Sequence, residues 1–483
     1  MHDTRRVLDK IMEGNLLKKF ISFSIGGYIN IVIGLLTVPI TTRVLSPEQY
    51  GINSLIMTLV NVVGIICYLG LDQGFVRFFY EEKEENRGNL LLKSIIIPIL
   101  LSLLFIFFSY FFKEKINFFI LGKESKELII ILEIWVIFNI LNRFALLVIR
   151  MQQKGKLYSF FQVALKVFEF SFILILYRKY GNDYKTLSFA TLGSLILITI
   201  IAIICEKNFW CFKGKIKTNS KELLQYSIPL SLTMALNWLF GSSDKVIIKI
   251  FSNATELGLY SGAFKIIALM TVIQNGFTTF WTPVSYEQYL KNPNDTEFFR
   301  KTTNYLAILF FTLGIGILSW RDIIIFLLGS KYYDSIFIMP MLVFIPVMYL
   351  LSETTMIGIA FKKQTKYFFY ISIIVSILNV IGNLLLVPKL GAKGAAISTG
   401  LSYIVFFSLR TYFSERLINF KFDLKRIYIM IVLLLSYASI LTFYKNIYFN
   451  LVIGTFLEMF LLFIYFPVLK ELYNKYIKIF RSN

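Results

Sequence analysis

Long apolar runs separated by short polar segments dominate the chain from about residue 20 to residue 468. A helix of about 18 or more apolar residues is long enough to cross the hydrocarbon core of a membrane. The predicted spans lie near residues 20–41, 52–71, 94–112, 128–150, 158–177, 186–205, 227–248, 258–280, 303–320, 335–358, 368–388, 394–414, 427–444 and 447–468. The pattern therefore predicts an all-α polytopic membrane protein with about fourteen transmembrane helices.

A stripe of small and polar residues interrupts the first run, and a similar stripe returns about two hundred residues later. The members of the two stripes are Gly27, Asn30, Gly34 and Thr37, then Thr233, Asn237, Gly241 and Asp244. Spacings of three and four place each set on one helix face. Such a face either packs closely against another helix or lines a polar cavity, and the spacing leaves both open. The repetition predicts an internal duplication, as in many secondary transporters.

The polar connections predict the domain organisation. The longest, near residues 206–226, is rich in lysine and follows the sixth span. We therefore predict an N-terminal lobe over residues 1–217, a C-terminal lobe over 218–424, and two further helices with a tail over 425–483. Most of the 50 Lys and Arg residues fall in segments that would be inside if the N-terminus is cytoplasmic. This bias predicts that both termini are cytoplasmic and that the two lobes run in the same orientation.

Composition narrows the class of protein. Of the 483 residues, 57% are hydrophobic and only 16% are charged, which is too apolar for a soluble protein. The net charge of +21 is explained by basic loops, so we expect no nucleic-acid partner. The single histidine, His2, precedes the first span, and the three cysteines are scattered, so no histidine metal site or disulfide framework is expected. We expect no cofactor.

Ionisable and amide residues inside spans are the main candidates for function, because burying them in lipid is costly. The cations are Arg143, Lys166 and Lys265, and the amides beside them are Asn139, Asn142 and Gln162. A structural ion pair, or a lysine that reaches the membrane surface, is the alternative interpretation of each cation.

Four carboxylates are candidates for ion coupling: Asp72, Glu169, Asp244 and Glu353. Glu169 lies three residues after Lys166 on the same helix and can pair with it. Glu353 stands isolated in an apolar span. If the two lobes are aligned through Lys156 and Lys366, Glu353 lies opposite Arg143.

The chain resembles bacterial polysaccharide-repeat flippases, the polysaccharide transporter family of the multidrug/oligosaccharidyl-lipid/polysaccharide exporter (MOP) superfamily. The resemblance covers nearly the whole chain. It rests on the segments GGYIN (26–30), VPITTRVLSPEQYG (38–51), LGLDQGFVRFFYE (69–81), SIPLSLTMALNWLFGSSDKVII (227–248), ELGLYSGAFKI (256–266), FWTPVSYEQ (280–288) and GAKGAAIST (391–399).

This resemblance implies two pseudo-symmetric six-helix lobes in a V around a central cavity, plus two peripheral helices. It also implies ion-coupled alternating access for an undecaprenyl-pyrophosphate-linked oligosaccharide in the bacterial cytoplasmic membrane, with protons or sodium as the coupling ion. The three cations would meet the anionic substrate. The amides, together with Asn30 and Asn237, would contact it as well. Further expected partners are membrane lipids, a polysaccharide polymerase and glycosyltransferases.

Other functions remain open on the same fold. A multidrug exporter is disfavoured by the basic intramembrane residues, and a peptidoglycan-precursor flippase is a second transport candidate. A membrane glycosyl polymerase or ligase needs a large external loop, whereas the predicted external loops are short. A scaffold without transport activity would tolerate replacement of the intramembrane charges. We therefore expect a transporter and not an enzyme.

Overall fold

A computed structural model describes residues 26–210 and 219–474, apart from residues 28, 31, 35, 269, 294 and 472, and apart from the side chains of 271–273, 275, 276, 279, 280 and 283. Every regular element in this part of the chain is helical. The contacts divide the chain into two compact units, Met1–Trp238 and Leu239–Asn483. The predicted boundary between residues 217 and 218 lies outside the described residues.

In the part of the chain that the structure describes, the first unit contains seven complete α-helices after residue 46 and the beginning of an eighth. An apolar helical stretch, Val32–Val44, precedes them, and the start of the predicted span 20–41 lies outside the described residues. The helices are α1 (Pro47–Tyr68), α2 (Leu71–Phe78), α3 (Arg87–Phe111), α4 (Lys113–Leu121), α5 (Lys126–Met151), α6 (Gly155–Tyr180), α7 (Tyr184–Cys205) and α8 (Ser220–Phe251). The division between the units falls within α8.

A tight joint separates α1 from α2. Leu69 and Gly70 both have left-handed backbones, with φ of 45° and 72°. A Cβ atom on Gly70 would lie 2.2 Å from the carbonyl oxygen of Ser227 on α8. Glycine is therefore required here both for its backbone conformation and for the close approach of α8. The joint fixes the start of α2, where Asp72 lies.

The second unit is also a helix bundle. Its helices after α8 are α9 (Ala254–Ala268), α10 (Thr271–Lys291), α11 (Thr296–Ser319), α12 (Arg321–Phe326), α13 (Met339–Leu342), α14 (Phe344–Thr355), α15 (Ile357–Phe361), α16 (Lys366–Leu390), α17 (Ala392–Leu417), α18 (Leu424–Phe443) and α19 (Ile447–Ile464). A 3-10 helix, Ser330–Phe337, precedes α13.

Two predicted spans are broken in the structure. The predicted span 258–280 consists of α9 and α10, which are separate helices. The predicted span 335–358 is divided among the 3-10 helix, α13, α14 and the start of α15, with a bend of 61° between Ser330–Phe337 and Met339–Thr355. Pro340 and Pro346 account for part of this division, since proline lacks the N–H that continues a helix.

The prediction of an all-α polytopic membrane protein is confirmed. In the part of the chain that the structure describes, ten helices are long and apolar enough to cross a membrane, or up to eleven if the bent pair forms one span. The predicted number of fourteen is approximate, because it also counts the first run, the more polar helix α8 and the broken span formed by α9 and α10.

Buried polar residues fix the last two helices, α18 and α19, to the second unit. The guanidinium of Arg321 is fully buried and donates to the carbonyl oxygens of Leu441 and Tyr444 at the end of α18. A positive charge at this position satisfies carbonyls that the helix leaves free and complements its dipole. The Asn450 amide of α19 donates to the Leu318 and Ser319 carbonyls, at 3.1 Å each.

A recurring helical hairpin supports the predicted duplication. Gly181 ends α6 and Gly391 ends α16, with φ of 56° and 57°. Two residues near the ends of these turns make matching contacts. The Tyr184 N–H donates to Gln49 Oε1, and the Ala392 N–H donates to Glu256 Oε2, both at 2.9 Å. The two units thus use the same local device where the second helix of the hairpin begins.

Candidate functional sites

An ion pair between α2 and α5 holds the most prominent intramembrane arginine. Nε of Arg143 lies 3.1 Å from Oδ2 of Asp72, and Nη2 lies 2.8 Å from the same oxygen. The Asp72 side chain is 1% exposed, whereas that of Arg143 is 42% exposed. Asp72 lies in the first turn of α2, where a helix stabilises negative charge. The arginine is thus held on one side by a buried carboxylate and remains accessible on the other.

The amides predicted to flank Arg143 are both engaged within the first unit. The Tyr68 hydroxyl donates to Oδ1 of Asn139, at 2.7 Å. The amide of Asn142 is buried and donates to the Thr199 hydroxyl on α7, at 3.0 Å. Asn142 therefore joins two helices, whereas Asn139 is half-buried near the exposed arginine.

A second ion pair lies along α6. Lys166 Nζ is 2.7 Å from Glu169 Oε2, and the Thr191 hydroxyl of α7 donates to Glu169 Oε1 at 3.0 Å. The predicted pairing of Lys166 with Glu169 is confirmed. Lys166 is 43% exposed and Glu169 only 12%, so this pair also presents its positive member outward. Gln162, one turn before Lys166, is half-buried.

The two small and polar stripes are open along much of their length. In the described part of the chain, a Cβ atom on Gly27, Gly34 or Gly241 would meet no atom within 4 Å. Asn237 is exposed, and Asn30 is half-buried. Among the described residues, no other helix therefore packs closely against these three glycines. The prediction that Asn30 and Asn237 contact a substrate stays a prediction.

A buried carboxylate cluster occupies the second unit. Asp244 on α8 is 2% exposed and accepts hydrogen bonds from the Tyr260 hydroxyl, the Asn383 amide at 2.6 Å and the Thr399 hydroxyl at 2.7 Å. The Asn379 amide in turn donates to Thr399 Oγ1 at 3.2 Å. We call these five residues the Asp244 cluster; they come from α8, α9, α16 and α17.

The five residues of the Asp244 cluster are rich in oxygen atoms and include no cationic side chain. Among the described residues, Asp244 has no ion-pair partner, and Oδ1 of the buried Asn383 has no hydrogen-bond partner. No group of three or more His, Cys, Asp and Glu residues suited to a metal ion occurs in that part of the chain. Carboxylate, amide and hydroxyl oxygens are instead the ligands of hard cations. Lys245, the residue after Asp244, lies within electrostatic range of Asp244 and of Lys265 on α9.

Glu353 is not the isolated carboxylate that the sequence predicts. Its Oε1 accepts a hydrogen bond of 2.8 Å from Nη1 of Arg410 on α17, and both side chains are largely buried. The Arg410 guanidinium also lies 4.3 Å from the centroid of the Phe406 ring. Arg410 compensates the negative charge of Glu353, so the expectation of an isolated carboxylate is wrong.

Sequence reasoning missed Arg410 and the partner of Arg143. Arg410 and Glu353 lie on α17 and α14, and Arg143 and Asp72 lie on α5 and α2, so no local spacing connects either pair. A signal was present for Arg410, which falls inside the predicted span 394–414. For Asp72 and Arg143, the only signal in the sequence is that the two candidate residues carry opposite charges.

Comparison with known proteins identifies the family. A protein family described as polysaccharide biosynthesis protein matches residues 16–287, more than half of the chain. The chain belongs to this family. The predicted resemblance to a polysaccharide-related family is confirmed.

Two curated relatives span most of the chain. An uncharacterized membrane protein of Methanocaldococcus jannaschii, MJ1068, is 22% identical over 435 residues, which is 84% of this chain and 85% of the relative. The Lsg locus putative protein 1 of Haemophilus influenzae is 21% identical over 349 residues, or 70% of this chain and 84% of the relative. Both are similar to this member of the polysaccharide biosynthesis family at low identity over long alignments.

Solved structures with a similar fold are transporters. The lipid II flippase MurJ, in an inward closed conformation, has a TM-score of 0.68 at 18% identity and covers 93% of this chain and 100% of its own. An inward-facing multidrug resistance MATE transporter of the MOP superfamily has a TM-score of 0.60 at 15% identity, covering 83% and 97%. This family member is a multi-pass membrane protein with a MurJ- and MATE-like fold.

Proposed function

We propose that this protein is a flippase for undecaprenyl-pyrophosphate-linked oligosaccharide repeat units. It would move them from the inner to the outer leaflet of the cytoplasmic membrane for surface polysaccharide synthesis. Both termini would be cytoplasmic, and an ion gradient would drive alternating access. The family match and the transporter fold support this proposal. The basic loops support the orientation.

The observation that carries the proposal is the half-exposed Arg143. Its Nε and Nη2 contact a single oxygen of Asp72, so donors on the other edge of the guanidinium remain for a second anion. The planar donor set of arginine suits the oxygens of a pyrophosphate. Asp72 offsets the cost of holding this charge in the membrane between transport cycles. Lys166, also half-exposed and paired, would supply a second contact.

Ion coupling fits the Asp244 cluster better than the other predicted carboxylates. Asp72, Glu169 and Glu353 are each paired with a cation, which opposes binding of a further one. Asp244 is buried and receives only neutral hydrogen-bond donors in the described part of the chain. A proton or a sodium ion would bind Asp244 and compensate its charge in one state of the transport cycle, and would dissociate in another.

The test is to replace Arg143 in a strain whose surface polysaccharide depends on this protein. Arg143→Ala should abolish surface polysaccharide at normal membrane abundance, and Arg143→Lys should retain part of it, because lysine restores the charge but not the planar donor set. Arg178→Ala is the matched control, since Arg178 is an exposed cation in the last turn of α6. Full export by Arg143→Ala would contradict the proposal.

A peptidoglycan-precursor flippase is the second candidate, because the MurJ fold covers 93% of this chain. The same strains distinguish the two. Loss of surface polysaccharide with normal growth and cell shape supports an oligosaccharide substrate. Lysis on depletion of the protein would instead favour the peptidoglycan precursor.

A further inference from the structure

A charged cavity lies at one end of three helices of the second unit, and none of its lining residues belongs to the Asp244 cluster. Its volume is about 410 Å³. Its walls come from the N-terminal part of α11, the first turn of α18, the loop before α18, and the segment after α19. The three helices pack against one another, and all three qualify as membrane spans by length and composition. The cavity therefore opens where these spans reach the membrane surface.

The lining of the cavity carries surplus positive charge. Two of its four cations are already neutralised: Lys301 pairs with Glu471 and with Glu297, which lies one turn earlier on α11. Arg426 lies 2.7 Å from Asp423.

The remaining two cations, Arg300 and Lys421, have no ion-pair partner among the described residues, and both line the cavity. No carboxylate in the lining is left over for them. Glu297 lies within electrostatic range of Arg300 but pairs with Lys301. An anion that enters the cavity would therefore meet two cations that form no ion pair of their own.

A buried amide faces the same cavity. Asn304, one turn after Arg300 on α11, lines the cavity and is 7% exposed. Its Oδ1 has no hydrogen-bond partner among the described residues. A buried polar atom without a partner is costly unless something supplies one. A ligand with both hydroxyl and anionic oxygens would satisfy this amide in either orientation.

The backbone around Lys421 directs that side chain outward. Phe420 and Phe422 are buried in the unit and their rings stack at 5.2 Å, so the residue between them must face away from the core. Lys421 adopts φ of 56°, which is unfavourable for a residue with a Cβ atom. The loop thus holds a lysine over the cavity at a cost in backbone energy.

We propose that this cavity binds the phosphate group of an anionic membrane phospholipid. Lipid phosphates lie at the level where membrane-spanning helices end, and basic pockets at that level bind them. Arg300 offers a planar donor set for phosphate oxygens and Lys421 a point charge. Pro467 and Val468 give the cavity an apolar side suited to the glycerol and the first methylenes. The proposal does not depend on the transported substrate.

The experiment uses the full-length protein in nanodiscs of phosphatidylcholine with and without phosphatidylglycerol. Native mass spectrometry counts retained phosphatidylglycerol, and thermal unfolding measures stabilisation. The Arg300→Gln/Lys421→Gln double variant should bind phosphatidylglycerol about thirtyfold more weakly, since each of the two basic residues near a membrane surface contributes about 1 kcal/mol. The matched control, Arg416→Gln/Lys425→Gln, removes the same charge from exposed residues outside the cavity and should behave as the unmodified protein.

Two further probes separate the sources of negative charge. Oleate supplies an anionic lipid without phosphate, and inorganic phosphate supplies phosphate without a lipid. Weaker effects of both than of phosphatidylglycerol support the proposal. Equal stabilisation by oleate would overturn its phosphate specificity, and stabilisation by inorganic phosphate alone would overturn the lipid as the source. Equal retention of phosphatidylglycerol by the double variant and its control would reject the cavity as the site.

Discussion

The two units place different chemistry on corresponding helices. If α6 and α16 are aligned through Lys156 and Lys366, Glu169 corresponds to Asn379. The hairpin contacts of Gln49 and Glu256 support this correspondence. In each unit the residue on the first helix of the hairpin bonds a threonine on the second. Glu169 accepts from Thr191, and Asn379 donates to Thr399.

The carboxylate comes from a different helix in each unit. In the first unit it is Glu169 on α6, and Lys166 compensates it from the same helix. In the second unit Ser376 corresponds to Lys166, and the carboxylate is Asp244 on α8, whose counterpart in the first stripe is Thr37. The first unit therefore exposes a compensated cation, whereas the second buries an anion among neutral donors. We infer that duplication was followed by specialisation for an anion and a cation respectively.

The largest expected effect is on the Asp244 cluster. Asp244→Asn removes the only formal charge of the cluster and should lower ion-driven transport about tenfold or more, as expected when a coupling free energy of 1–3 kcal/mol is lost. Glu169→Gln should lower transport only about two- to fivefold, because Lys166 is half-exposed and water can solvate it.

Transport under imposed proton and sodium gradients, normalised to membrane abundance, measures both variants. A larger loss of transport in Glu169→Gln than in Asp244→Asn would contradict the proposed difference between the units. A full response of Asp244→Asn to both gradients would contradict it as well.

An intermediate effect is expected at the two corresponding threonines. Thr399→Val removes a hydroxyl that donates to the buried Asp244 and accepts from Asn379, at nearly constant volume. A hydrogen bond to a charged group contributes about 1.5–3 kcal/mol. Thr191→Val should have a smaller effect, because Glu169 keeps its pairing with Lys166.

The ion concentration that half-saturates transport reports on this difference. It should change for Thr399→Val and stay within about twofold for Thr191→Val. Equal shifts in the two variants would show that the threonines have a common structural role. The specialisation of the second unit would then lose its support.

The sequence predicts well what depends on local spacing. Apolar runs predict the spans because each residue that faces lipid must be apolar. Lys166 pairs with Glu169 because a spacing of three residues places both side chains on the same face of a helix. Contacts between helices are different. Asp72 meets Arg143, and Glu353 meets Arg410, only after α2, α5, α14 and α17 have packed. The break at α13 and α14 likewise reflects prolines whose consequence depends on the surrounding packing.

The smallest expected effect concerns the hairpin contacts that relate the two units. Glu256→Ala removes the carboxylate that accepts from the Ala392 N–H, and Gln49→Ala removes the amide oxygen that accepts from the Tyr184 N–H. In the hairpin of the first unit, the second helix, α7, keeps another cap, because the Asp183 side chain accepts a hydrogen bond from the Lys185 N–H. The corresponding helix α17 has Gly391 as its N-cap residue, and because glycine has no side chain, Glu256 is the acceptor.

Losing a helix cap costs about 1 kcal/mol, and a charged acceptor contributes more than a neutral one. We therefore expect a reduction in the thermal unfolding midpoint for Glu256→Ala and a smaller one for Gln49→Ala, measured on purified protein in the same detergent. Because neither residue belongs to the proposed binding sites, transport per folded molecule should be unchanged in both. If Gln49→Ala is the more destabilising, the two contacts are not equivalent, and the alignment that places Glu169 opposite Asn379 loses the structural contact that supports it.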